Sequence, residues 1–198
     1  MTLAARRDGA GMTTRADYTE EEWEKLTQAP IMATLAIVAA DMSGPIGLVK
    51  EITATVKTIQ ETAVSATAGE LVKAIAVDVI ESQQRKDQKD QGAHPAGDAS
   101  AQPANGAQNS LESMRIDAKN PEEAKQKAVE GCVAAAAIVA QKSPAEADEF
   151  KQWLMTIAIR TSEAAKEGGF LGIGGTRVSE KEKAELTTLA SALGVSPS

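Results

Sequence analysis

Aromatic side chains are scarce in this chain: two Trp, two Phe and one Tyr among 198 residues. A core without large rings has to be filled by Ala, Ile, Val and Leu, a composition that suits closely packed helices. Cysteine is limited to Cys132, which excludes an internal disulfide, and a thiol within an apolar helix acts as a small hydrophobe. Positive charge is also short. The formal net charge of -7 argues against a binder of the phosphate backbone, which needs a basic patch to release counterions, so no nucleic-acid partner is expected. Long hydrophobic runs are missing too. The stretch Gly131–Ala140, GCVAAAAIVA, rises only about 15 Å as a helix, half the hydrocarbon core of a bilayer, so it is no membrane span. No apolar signal-peptide core follows Arg6 and Arg7, and a cytoplasmic location is expected.

What is present is helical punctuation. Residues 1–18 mix Gly, Thr, Arg and Asp without periodicity and read as a disordered lead. Thr19-Glu20-Glu21-Glu22 is a capping box, with the Thr19 hydroxyl taking the N3 amide and Glu22 reaching back. Pro30 has no amide to give, which predicts a kink or break before Ile31. Ile31–Ala40 is a second mostly apolar helix, ended by Asp41-Met42-Ser43-Gly44-Pro45. Val49, Ile52, Val56, Ile59 and Ala63 then form one stripe of an amphipathic helix, and Leu71, Val72, Ile75, Ala76, Val79 and Ile80 another, with Gly69 near the junction. Residues 84–110 hold no large apolar side chain to offset the entropy of ordering and read as a disordered linker. His94, the single histidine, falls inside it, where no fixed partners could make it a metal ligand or a base.

Beyond Leu111, Met114 and Ile116, Asn120-Pro121-Glu122-Glu123 opens a long helix with an N-cap, Pro at the first position and Glu at N3. Its Gly131–Ala140 segment is apolar on every side, which predicts the buried centre of the fold, with Ala136 and Ala137 against Leu35 or Ala36. Ser143-Pro144-Ala145-Glu146 repeats the start signal for a helix carrying Phe150, Trp153, Leu154, Ile157, Thr161 and Ala164 on one face. A glycine-rich loop, GGFLGIGGTR, follows from Gly168. Ser179-Glu180-Lys181-Glu182 caps a last helix with Leu186, Leu189, Ala190 and Leu193 inward and Gly194 as its C-cap.

Shifting the chain by 101 places sets Thr19 on Asn120, Pro30 on Gly131, Ala36-Ile37-Val38-Ala39 on Ala137-Ile138-Val139-Ala140, and Val49, Ile52 and Val56 on Phe150, Trp153 and Ile157. Caps, breaker and stripe keep register together, which points to an internal duplication. The expected architecture is all-α: a single compact helical bundle of two pseudo-repeated halves, 19–83 and 111–198, packed about an approximate two-fold and joined by the disordered linker. The second half carries fourteen more residues before its last helix, largely the glycine-rich loop.

That loop admits three readings. Phe170, Leu171 and Ile173 fold back onto the bundle or meet a partner, while Gly174, Gly175, Thr176 and Arg177, just ahead of a helix N-terminus, could cradle an anion. A phosphate loop would follow a strand and end in Gly-Lys-Ser/Thr, and neither is here. Acid clusters at Glu20–Glu22, Glu122-Glu123 and Glu146, Asp148 and Glu149 lie in first turns, where the helix dipole favours them. No HExxH, EF-hand or di-iron pattern occurs, and a Ser nucleophile has no ordered His.

The closing segment GTRVSEKEKAELTTLASALGVS, through Val178, Ser179, Glu182, Leu186, Leu189, Ala190, Leu193 and Gly194, resembles tellurite-resistance TerB-like domains. So does IMATLAIVAADMSGPIGLVKE, an Ala-rich helix running into a turn at Asp41. The resemblance implies a compact all-helical domain of two related halves, associated with stress responses and acidic metal-binding surfaces. The turn before Val178 reads Gly-Gly-Thr-Arg, without the Asp common in that family. Two functions follow. One is a non-enzymatic, cytoplasmic module without a cofactor that binds a protein partner or itself, through Phe170, Leu171 and Ile173. The other, implied by the resemblance, is a TerB-like metal-binding or sensing domain holding a divalent cation at Asp41 and Glu51.

Overall fold

The computed structural model describes residues 14–39, 44–92, 120–166 and 180–196. Six helices account for nearly all of them: α1 (Glu20–Val38), α2 (Gly44–Ala63), α3 (Glu70–Gly92), α4 (Pro121–Lys142), α5 (Ala147–Lys166) and α6 (Glu180–Leu193). No strand occurs among the described residues, and no helix there is long and apolar enough to cross a membrane. The protein is an all-α bundle whose halves each contribute three helices in the same order.

The caps legible in the sequence set the helix ends. The Glu22 amide donates to Thr19 Oγ1 at 3.2 Å and the Thr19 amide to Glu22 Oε2 at 2.7 Å, closing the box at the start of α1. The Glu123 amide donates to Asn120 Oδ1 at 2.9 Å, with Pro121 in the first position of α4. At the end of α6, Gly194 takes φ +69° and the Val195 amide reaches the Ala190 carbonyl at 3.0 Å. That backbone region is open to glycine because it has no β-carbon to clash.

Several boundaries differ from the sequence expectations. Pro30 does not break α1, which runs unbroken through it. A mid-helix proline costs about 3 kcal/mol, but α1 meets all five other helices and Pro30 itself is buried, so packing outweighs the lost bond. The lead is ordered from Thr14: Arg15–Asp17 form a 3-10 turn and Tyr18 is buried in the core. An aromatic ring buries enough apolar surface to hold a short strap. α3 continues to Gly92, into the segment expected as linker. Gln, Lys and Arg propagate an existing helix readily, and Arg85 pairs with Glu81 one turn back. Residues 1–13 and 93–119 lie outside the described residues. Ser143 ends α4 and precedes a 3-10 turn, Pro144–Glu146, ahead of α5, but its side chain makes no cap bond: its hydroxyl is paired with Tyr18 OH at 2.8 Å.

Two of the three equivalent helix pairs meet across the halves. The most extensive contacts among the described elements are α1 on α4 and α2 on α5. Both pairs run antiparallel: Tyr18 meets Ser143 while Ala29, farther along α1, accepts from Cys132 Sγ at 3.7 Å. Likewise Trp153 Nε1 donates to Thr62 Oγ1 at 2.9 Å, and Thr161 meets Thr55 at 3.1 Å. The faces, however, are not equivalent. α1 turns Ala29 and Met32 toward α4, yet their counterparts Glu130 and Val133 are exposed. The repeat thus lies in helix order and pairing, while each face is chosen by its own neighbours.

The centre of the fold is α1 with α5. From Ile31 to Ala39 no residue is exposed, and Phe150, Leu154, Ile157 and Ala158 of α5 are fully buried. Between α2 and α5 the packing is partly polar. Thr34 Oγ1 lies 2.7 Å from Thr55 Oγ1, which lies 3.1 Å from Thr161 Oγ1. Each of these hydroxyls also approaches the carbonyl four residues back, Pro30, Glu51 and Ile157 respectively. The expected apolar stripe on α2 is therefore half replaced: Ile52 and Ile59 are buried, but so are Glu51, Thr55 and Thr58, whereas Val56 is 47 % exposed. A threonine that satisfies its hydroxyl on its own helix leaves no unpaired polar group when it is buried.

Candidate functional site

α4 was expected to be covered on all sides, and it is not. Its inner face, Ala128, Cys132, Ala135, Ala136 and Val139, is buried, and Gly131 lets α1 come close: a β-carbon there would stand 3.2 Å from Met32 Cγ. Its outer face is bare. Val133 is 37 % exposed, and Ala134, Ala137 and Ala140 are exposed with it, so Ala136 is buried as expected while Ala137 is not. The physical reason is that a methyl group removes little apolar area from water, so a run of alanines reports helix propensity more than burial.

The strip continues toward the helix start. Gln126, Glu130, Val133, Ala137 and Gln141 fall at spacings of three and four along one line of α4, and all are exposed. At its lower end a groove of about 550 Å³ opens between α4 and α6, lined by Glu122, Glu123, Gln126, Val129, Glu130 and Thr188 among others. Lys125, at the same place, bonds Glu185 and pairs with Glu122, both at 2.8 Å. These two carboxylates raise the Lys125 ammonium pKa above its ordinary value. The result is a small-residue ridge ending in a groove with a carboxylate rim. The polar residues flanking Val133 and Ala137 at helical spacing were the signal in the sequence that this side faces solvent.

The opposite end of α4 is locked. Lys142 Nζ bonds Glu22 Oε2 at 2.6 Å and the Asp17 carbonyl at 3.2 Å, and stands 5.7 Å from the Tyr18 ring centre. The Lys142 bond, with the Thr19 amide behind it, holds the Glu22 carboxyl below its usual pKa. Burial pushes the Tyr18 phenol up, against the opposing pull of the Ser143 hydrogen bond. Next to Tyr18, Trp23 donates to Asp78 Oδ2 of α3 at 2.6 Å. Tyr18 and Asp78 tie the start of α1 to the end of α4 and to the middle of α3, and carried no signal in the sequence beyond their residue type.

The acid clusters serve the fold. Glu20 pairs with Arg15, Glu21 with Lys25, and Glu22 with Lys142. Glu146 and Glu149 act on a helix other than their own: Glu146 Oε1 accepts from the Leu71 amide at 3.1 Å and Glu149 Oε1 from the Gly69 amide at 2.5 Å, capping α3. Of the expected metal pair, Glu51 is buried on α2 and Asp41 lies outside the described residues. Among the described residues no group of three His, Cys, Asp or Glu could hold a metal ion. Phe170, Leu171, Ile173, Gly174, Gly175, Thr176 and Arg177 also lie outside them. Cys132 is fully buried and its thiol is pushed up to about 12 by desolvation, which leaves it without thiolate at neutral pH. Comparison with protein-family models, curated proteins and solved structures returns no match.

Proposed function

We propose that this chain is a non-enzymatic, cytoplasmic helical module that engages a protein partner along the outer face of α4, with Phe170, Leu171 and Ile173 of the glycine-rich loop adding apolar contacts. The observation that supports it is the bare strip of Val133, Ala134, Ala137 and Ala140 on a helix whose other side is core. A ridge of small side chains lets a partner helix approach its axis closely, and the carboxylates at the α4–α6 groove give such a contact a charged end. The strip is narrow, so the interaction it supports is a modest one.

A photo-crosslinking residue placed at position 137 tests this in cells, with position 152 on the exposed side of α5 as control. The expected result is a discrete adduct from 137 that the control lacks and that weakens in a Phe170→Ser, Leu171→Ser background. Matching patterns at the two positions overturn the α4 surface; an adduct indifferent to the loop changes removes the loop from it. Solution mass across a concentration series identifies a second copy of the chain as the partner if the mass rises and Ala137→Arg abolishes the rise.

A further inference from the structure

We draw no further inference here: the strongest candidate, the strip along α4 from the groove at Glu122 and Glu130 to Ala140, belongs to the surface already described, and nothing in the structure shows what covers it.

Discussion

The Glu149 carboxylate occupies the space that a side chain on Gly69 would need: a β-carbon there would collide with Glu149 Oε2, and the Gly69 amide donates to Glu149 Oε1 at 2.5 Å. The second half of the chain thereby caps a helix of the first. Gly69→Ala would swing the carboxylate away and leave the start of α3 without that acceptor. A lost cap costs about 0.5–2 kcal/mol. Urea melts of Gly69→Ala, Glu149→Ala and the double variant should show two similar losses that do not add, because both remove one interaction. Full additivity would mean the pair is not coupled.

Neighbouring positions on α4 should respond oppositely. Ala136→Asp places a charge in the core and should cost several kcal/mol or force protonation, and Ala136→Leu about 1–3 kcal/mol through overpacking. Ala137→Asp, on the bare face, should stay within about 0.5 kcal/mol. Equal losses at 136 and 137 would show that the helix is covered all round after all.

The threonine seam makes a less intuitive prediction. Thr34, Thr55 and Thr161 bring three hydroxyl protons to five oxygen contacts, two between hydroxyls and three to carbonyls. Thr55→Val removes one proton and three of those contacts, and the two remaining hydroxyls each keep a carbonyl. The variant should therefore melt within about 1 kcal/mol of wild type, since exchanging a buried hydroxyl for a methyl of the same shape leaves no group unsatisfied. A loss of several kcal/mol would show that the hydroxyl contacts hold α2 on α5.

Cys132 sets an upper pH limit. Its folded pKa of about 12 lies above the ordinary 9.0, so the native state keeps a proton that the unfolded state gives up. The contribution to stability is complete below pH 9 and is lost as pH rises toward 12. Cys132→Ala should flatten this alkaline loss. Labelling by a thiol reagent at pH 8 should occur at the rate of unfolding; rapid labelling of the native protein would place the thiol at the surface.

At the acid side, the bond between Lys142 and Glu22 should matter in the opposite direction. Glu22 titrates below its ordinary 4.5 in the folded state, so its contribution is present above that value and fades as pH falls through the lower folded pKa. Lys142→Met should lower the melting temperature at pH 7 by more than at pH 3. An equal drop at both would assign the effect to lost packing over the Tyr18 ring.

Local chemistry was enough for the helical class and for several of the helix ends. Thr19, Asn120 and Gly194 act on backbone groups within a few residues, so their roles are legible without knowing what packs where. The pairing of α1 with α4 was legible as well, because the start signals at Thr19 and Asn120 and the Ala-rich segments behind them keep one register in the order of residues. Which side of each helix turns inward was not. Alanine costs little whether buried or exposed, so Ala136 and Ala137 look alike in sequence, and threonine hides its hydroxyl on its own backbone, so Thr55 could lie deep in the core while Val56 faces water. Only the packing of all six helices decided that α1, continuous through Pro30, is the covered centre and that α4 is left with a bare face. Burial is a sum over neighbours drawn from both halves, and no single stretch of chain contains it.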